Sequence, residues 1–288
     1  MTTLHLTKSK TCCRLALALI ALVALAIAIP RSALASTLAT FDVPSADQTS
    51  AQGNNDRGDI VGFWNDAITS HGFILSRGAF ALFDVPGSLA TAPRGINSRG
   101  DIVGEYGVDT VTSHGFLRSG GHFTTIDFPG AVNTFASAIN ALGDIVGFYE
   151  DTAGFHGFLR NNHGVFTAIN YPGATETDAY GINDKGDIVG GYVDSSGISR
   201  GFILSKGVFR TIQPPGAIQS QARSINSKGD IVGAFTGGHS FRLSSGRYTQ
   251  IDVPGATITR ARGINAQGDI SGNFNDASGN THGFLLTR

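Results

Sequence analysis

Arg94, Arg223 and Arg262 fall at the same place in a stretch that this 288-residue chain repeats six times. The other repeats put Gln52, Ser137 and Tyr180 there. Small residues or proline flank each member of the column: Ala51 and Gly53, Pro93 and Gly95, Ala136 and Ala138, Ala179 and Gly181, Ala222 and Ser224, Ala261 and Gly263. A guanidinium offers a planar fork of donors that matches carboxylate, sulfate or phosphate oxygens. Three of them in one column of a chain with formal net charge −1 make a local excess of positive charge. If the column lines a common pocket, the chemistry it supports is anion recognition.

A second column holds His71, His114, His156, Arg200, His239 and His282. Histidine is a common metal ligand, but one histidine per repeat would spread these rings too far apart to share an ion. An Asp stands five or six residues earlier in five repeats (Asp66, Asp109, Asp151, Asp194, Asp276), in the adjoining turn. The column is therefore expected to lock each repeat by His–Asp hydrogen bonding, much as WD-repeat blades do. No metal or other cofactor is expected, and no catalytic residue is assigned. Glu105 and Glu150 read as exposed side chains without a visible partner. The chain contains no strand-to-helix Gly-x-Ser-x-Gly, no His-Glu-x-x-His and no phosphate-cradling loop.

The frame that must position these columns is a repeat. Its most regular stretch is Gly95-Ile96-Asn97-Ser98-Arg99-Gly100-Asp101-Ile102-Val103-Gly104. The Gly-Asp pair recurs at Asp59, Asp101, Asp144, Asp187, Asp230 and Asp269, in steps of 42, 43, 43, 43 and 39 residues. Asn-x-x-Gly is the chemistry of a tight hairpin, with Gly in the left-handed conformation at the fourth position. In the third repeat four strands follow in order: a at 136–140, b at 144–149, c at 156–159 and d at 165–170. Tyr171-Pro172-Gly173-Ala174 then leads out to the next repeat, with Pro at a strand end because it cannot donate to a ladder.

Four short strands in a period near 43 residues match one blade of a β-propeller, and six repeats give six blades. A lone strand-d segment at 38–43 precedes the first repeat, and the last repeat stops after strand c at 282–286. The leading strand is thus expected to complete the last blade and hide both sheet edges. Strand a, rich in small residues, is expected innermost, which would bring the arginine column to the mouth of the central channel.

Residues 1–35 read as a leader rather than as part of the fold. Lys8, Lys10 and Arg14 precede an apolar run from Leu15 to Ile29, and Ala33-Leu34-Ala35 has the small-x-small form of a cleavage site. Processing there would leave 253 residues as one domain, 36–288, in the periplasm or outside the cell and without a membrane anchor. Both cysteines, Cys12 and Cys13, would leave with the leader, which excludes disulfides and zinc-thiolate sites. Lys8, Lys10, Arg14 and Arg31 would leave too, so 17 basic side chains face 22 acidic ones, a balance that does not favour a nucleic-acid partner. A monomer is expected.

The pattern A-x-G-I-N-x-x-G-D-I-V-G followed by H-G-F-L resembles the secreted bacterial HAF-repeat proteins, named for a His-Ala-Phe tripeptide. That tripeptide reads His-Gly-Phe here, at 71–73, 114–116, 156–158 and 282–284. The resemblance spans nearly the whole chain after the leader and implies an exported repeat protein; it implies no activity. Function must therefore come from the columns. The expectation is a binding module taking an anionic glycan or peptide at the channel mouth through Gln52, Arg94, Ser137, Tyr180, Arg223 and Arg262. The alternatives are a purely structural envelope protein and a glycoside hydrolase. Six-bladed sialidases hold a substrate carboxylate with three arginines and pair a Tyr with a carboxylate, an inventory echoed by Tyr180 with Glu176 or Asp178. The sialidase-type Ser-x-Asp-x-Gly-x-Thr-Trp box is absent from every repeat.

Overall fold

Turn chemistry fixes where each strand ends. In the second repeat the Gly100 N–H donates to the Asn97 carbonyl at 3.1 Å, and the Asn97 N–H donates to the Asp101 carbonyl at 3.0 Å. Gly100 stands at φ 92°, a conformation that costs a Cβ-bearing residue. The exits are equally regular: the Ala131 N–H donates to the Phe128 carbonyl at 3.1 Å around Pro129-Gly130. At five of the exits a threonine of the following inner strand accepts the N–H of the residue before the proline, as Thr177 Oγ1 does from Tyr171 at 3.0 Å.

The computed structural model describes residues 36–287, so the expected leader at 1–35 lies outside the described residues. The described chain is all-β: six antiparallel sheets of four strands, arranged as a six-bladed propeller. The innermost strands a are Gln48–Asn54, Ala90–Ile96, Asn133–Ile139, Glu176–Ile182, Ser220–Ile225 and Ile258–Ile264. Each packs against the next around the ring, and the first packs against the last. Strands b, c and d follow outward in chain order, except in blade six, whose outermost strand is Thr37–Phe41. That strand pairs antiparallel with Thr281–Thr287, Thr37 opposite Thr287 and Phe41 opposite Gly283, and closes the ring as the sequence leads one to expect. In the third repeat the strands are Asn133–Ile139, Ile145–Asp151, Gly154–Arg160 and Phe166–Ile169. The first three run longer than their apolar cores because the Asn133–Glu150 and Asp151–Gly154 pairs extend the ladders past the apolar residues.

Six phenylalanines, one per blade, are buried from solvent: Phe73, Phe116, Phe158, Phe202, Phe241 and Phe284. The glycine of each Ile-Val-Gly or Ile-Ser-Gly triplet makes room for that ring. A Cβ on Gly147 would lie 2.0 Å from the Phe135 carbonyl oxygen and 2.8 Å from the Phe158 ring.

The hairpin asparagines do more than shape their own turns. Asn97 Oδ1 accepts the N–H groups of Arg99 and Asp101, and its Nδ2 donates to Asp101 Oδ2 and to the Asn140 carbonyl of the next blade. The inter-blade bond recurs from Asn55 to Asn97, from Asn140 to Asn183, from Asn183 to Asn226 and from Asn226 to Asn265. It returns from Asn265 to the Asn55 carbonyl at 3.2 Å. Six buried asparagines thus form a closed hydrogen-bonded belt at one end of the channel. From the sequence alone these residues read as local turn formers only.

The histidine column is a structural lock with a second partner beyond the expected Asp of the b–c turn. His71 Nε2 meets the expected Asp66 at 3.4 Å, but its Nδ1 sits closer, 2.9 Å, to Asp84 at the exit of strand d. His282 is held likewise between Asp276 and Asp42, and His114 pairs with Asp127 rather than with Asp109. Each ring also packs against the strand-b aromatic opposite it, such as Trp64 stacked on His71 at 4.8 Å.

Candidate functional site

Strand a pairs with strand b through one β-bulge per blade. In blade four Ala179 faces Gly190 and Gly181 faces Val189, which leaves Tyr180 as the extra residue. The same shift leaves out Gln52, Arg94, Ser137, Arg223 and Arg262. A bulge bends its strand and re-aims the unpaired side chain, here into the channel. The whole column therefore converges. Gln52, Arg94, Ser137, Tyr180, Arg223 and Arg262, with Phe148, line one cavity of about 240 Å³ at the end of the channel opposite the asparagine belt. Phe148 is the member that the sequence reading missed. Its signal was a large aromatic where Gly191 and Ala234 hold the equivalent place on strand b.

The three guanidiniums differ in their surroundings. Arg94 is paired: its Nε donates to Glu105 Oε2 at 2.9 Å and its Nη2 to Glu105 Oε1, while Nη1 reaches Gln52 Oε1 at 3.4 Å. This corrects the expectation that Glu105 is exposed without a partner, and it leaves Arg94 with a dedicated carboxylate. Glu105 sits one bulged step from Arg94 across the a–b ladder, opposite Ala92, and its side chain is only 13% exposed. Glu150, also expected to be unpartnered, accepts from Asn133 Nδ2 at 2.7 Å. Burial opposes the charge on Arg94, but the Glu105 carboxylate outweighs it and raises the pKa.

Arg223 and Arg262 form no ion pair among the described residues. Arg223 lies over the Tyr180 ring at 4.0 Å and donates to Gln221 Oε1. Arg262 has one long contact, Nε to Asn273 Oδ1 at 3.5 Å. Burial, then the like charges of Arg223, Arg94 and Arg260, hold the Arg262 pKa well below its ordinary value. Tyr180 donates to Asp178 Oδ2 at 2.6 Å, and the other carboxylate oxygen of Asp178 is buried without a hydrogen-bond partner. Burial pushes both groups up, Asp178 against the pull of Tyr180 and Arg223, Tyr180 with the added influence of Asp178. The phenol therefore stays protonated, and the mouth is a cationic cavity with one aromatic wall. Among the described residues no cluster of three or more His, Cys, Asp or Glu side chains is placed to hold a metal ion.

No family model matches this chain, and no curated protein matches it. Solved structures do. Virginiamycin B lyase from Staphylococcus aureus superposes with a TM-score of 0.52 at 13% identity, over 88% of this chain and 99% of the lyase. A gluconolactonase from Xanthomonas campestris gives 0.53 at 11% identity, over 88% and 89%. The Aleuria aurantia lectin, in complex with Fucα1-6GlcNAc, gives 0.52 at 14% identity, over 86% and 93%. At these identities the likeness is one of fold, and these propellers carry different activities on it.

Proposed function

We propose that this protein is an exported binding module of the HAF-repeat type that takes an acidic glycan through a carboxylate or sulfate group at the channel mouth. The observation that carries the reading is the pair Arg223 and Arg262. Two guanidiniums share a cavity with no carboxylate paired to either among the described residues, and their mutual repulsion is felt in the lowered pKa of Arg262. A bound anion relieves that repulsion and takes up the donors left free. Arg223 is already oriented for this by stacking on Tyr180, so little conformational freedom is lost on binding.

A cavity of about 240 Å³ is below the usual size of a drug-like pocket and suits one acidic sugar residue. Phe148 and Tyr180 supply apolar surface for a sugar face. The lectin with its bound saccharide is a precedent for glycan recognition on this architecture. The hydrolase alternative has Tyr180 and Asp178 adjacent as its chemistry would need. Burial raises the phenol pKa, however, the opposite of what a phenolate nucleophile requires.

The test is a thermal-shift screen of residues 36–288 against glucuronate, galacturonate, sulfated sugars and neutral sugars. Binding to the folded state raises the melting temperature by mass action. Acidic sugars are expected to shift it and galactose is not; equal shifts from neutral sugars, or none from any anion, would refute the proposal.

A further inference from the structure

Two clefts leave the cationic mouth in opposite directions along one face of the ring. The first, about 320 Å³, runs between blades one and two past Phe63, Ser70, Tyr106 and Val111, and begins at Arg94 itself. The second, about 350 Å³, runs between blades four and five past Ser199, Gln221, Phe235 and Thr236. Gln221 joins it to the mouth by accepting the hydrogen bond from Arg223. Three blades separate the two seams in a ring of six, so the clefts lie across the axis from each other. Both open on the face that carries the starts of the inner strands and the b–c turns, which is also the face of the arginine mouth.

Departures from the repeat open these two seams. In blade two, Ala90 and Ala92 stand where blade three has Asn133 and Phe135 and blade four has Glu176 and Asp178. In blade five the b–c turn shortens to Thr236-Gly237-Gly238 and loses the Asp found in the other five repeats. The seam between blades two and three shows the opposite choice. There Phe135 and Phe148 stack at 4.6 Å and fill the equivalent space.

We infer that the mouth is the centre of a continuous groove, and that its ligand is an extended acidic polysaccharide chain with one uronic-acid residue in the arginine pocket and neighbours on both sides in the clefts. This rests on the reading of the mouth as an anion site and goes further in making the ligand a polymer bound internally. The lining favours a sugar chain over an acidic peptide. Partly buried aromatic rings (Phe63, Tyr106, Phe235) offer platforms for pyranose faces, and hydroxyls and amides (Ser70, Ser199, Gln221, Thr236) offer both donors and acceptors. Neither cleft presents a further unpaired arginine or lysine, and the first is lined by Glu105 and Asp109, so the residues that flank the uronic acid are neutral sugars.

The experiment is calorimetric titration with galacturonate and with di-, tetra- and hexasaccharides in which one galacturonate carries neutral sugars on one or both sides, with a glutamate hexapeptide as the other polymer. The hexamer is expected to bind about three- to ten-fold more tightly for each cleft it fills, the range of one aromatic platform. Val111→Glu and Ser199→Glu, each at the wall of one cleft, should each remove the gain from one side and together bring the hexamer back to the affinity of the monomer. Monomer binding and the melting temperature should stay unchanged in both variants. Monomer binding with no gain on lengthening, or a gain that survives the double variant, overturns the groove and leaves the anion pocket intact. Failure of the monomer and every oligomer to bind overturns the pocket itself. Length-dependent binding of the glutamate peptide in place of the saccharides overturns the sugar assignment.

Discussion

Arg262 should make the ligand-free protein less stable than it would be without it. Its guanidinium faces Arg223 and Arg94 across the channel, has one long contact to Asn273, and meets no carboxylate at ion-pair distance among the described residues. Replacing a buried ion pair by apolar side chains of similar volume is often neutral or stabilising by about 1–4 kcal/mol, and Arg262 lacks even the attraction of a partner to offset its desolvation. The residue is only half-buried, so solvent screening places the effect near the lower end, about 1 kcal/mol. For a domain of this size that amounts to roughly 2–4 °C in melting temperature. Arg262→Met is therefore expected to melt higher than the native protein in low-salt buffer without ligand. The order should reverse when an acidic sugar is added, because a ligand at a hundred times its Kd contributes about 2.7 kcal/mol to the native protein and nothing comparable to the variant. Arg223→Met serves as the control. It loses the stacking on Tyr180, worth about 1 kcal/mol, and should gain little or no stability. Paired melting scans with and without galacturonate read both effects. A ligand-free Arg262→Met protein that melts several degrees below the native one would refute the reasoning, since it would show the guanidinium already satisfied.

Other expectations concern the frame. Asn183→Ala removes the belt bond to Asn226 and leaves the N–H groups of Lys185 and Asp187 without their acceptor; a loss of about 2–4 kcal/mol is expected in urea unfolding. Gly186→Val forces a β-branched residue to φ 78° and should cost more than about 1 kcal/mol in the same assay. The closing seam should depend on pH: the hydrogen bond to Asp42 and the Asp276 carboxylate raise His282 above 6.5, burial notwithstanding. A raised histidine pKa contributes stability that is complete below the unfolded value and disappears as pH rises through the folded one. The stability difference between the native protein and Asp42→Asn should therefore be largest just below pH 6.5 and shrink toward pH 8. It should stay under about 1 kcal/mol throughout, because both groups are partly exposed.

Much of this architecture was legible in the sequence because each repeat states it again. The Asn-x-x-Gly turns, the x-Pro-Gly exits and the unmatched strand at 38–43 specify blade, ring and closure by local chemistry. The convergence of the column was legible as a position but not as a direction. It depends on the bulge, and a bulge is a matter of register between two strands. Small residues on both sides of the column position were its trace. What escaped was contact across elements. Asn140 looks the same whether or not its amide reaches the next blade. Glu105 reveals its partner only when the a–b ladder is drawn. Asp66, close by in sequence, does meet His71 Nε2, but the Asp84 that holds Nδ1 more closely lies 13 residues downstream, across strand d.

The most direct measurement is calorimetric titration of galacturonate into residues 36–288, for the native protein and Arg223→Ala, at low and at physiological ionic strength. Saturable one-site binding is expected of the native protein, weakening as salt shortens the screening length toward about 8 Å. Arg223→Ala should lose about 1.5–3 kcal/mol, the range for hydrogen bonds to charged groups, with little change in melting temperature. Binding that is indifferent to salt and to Arg223, or as strong for galactose as for galacturonate, would contradict the assignment of the mouth as an anion site.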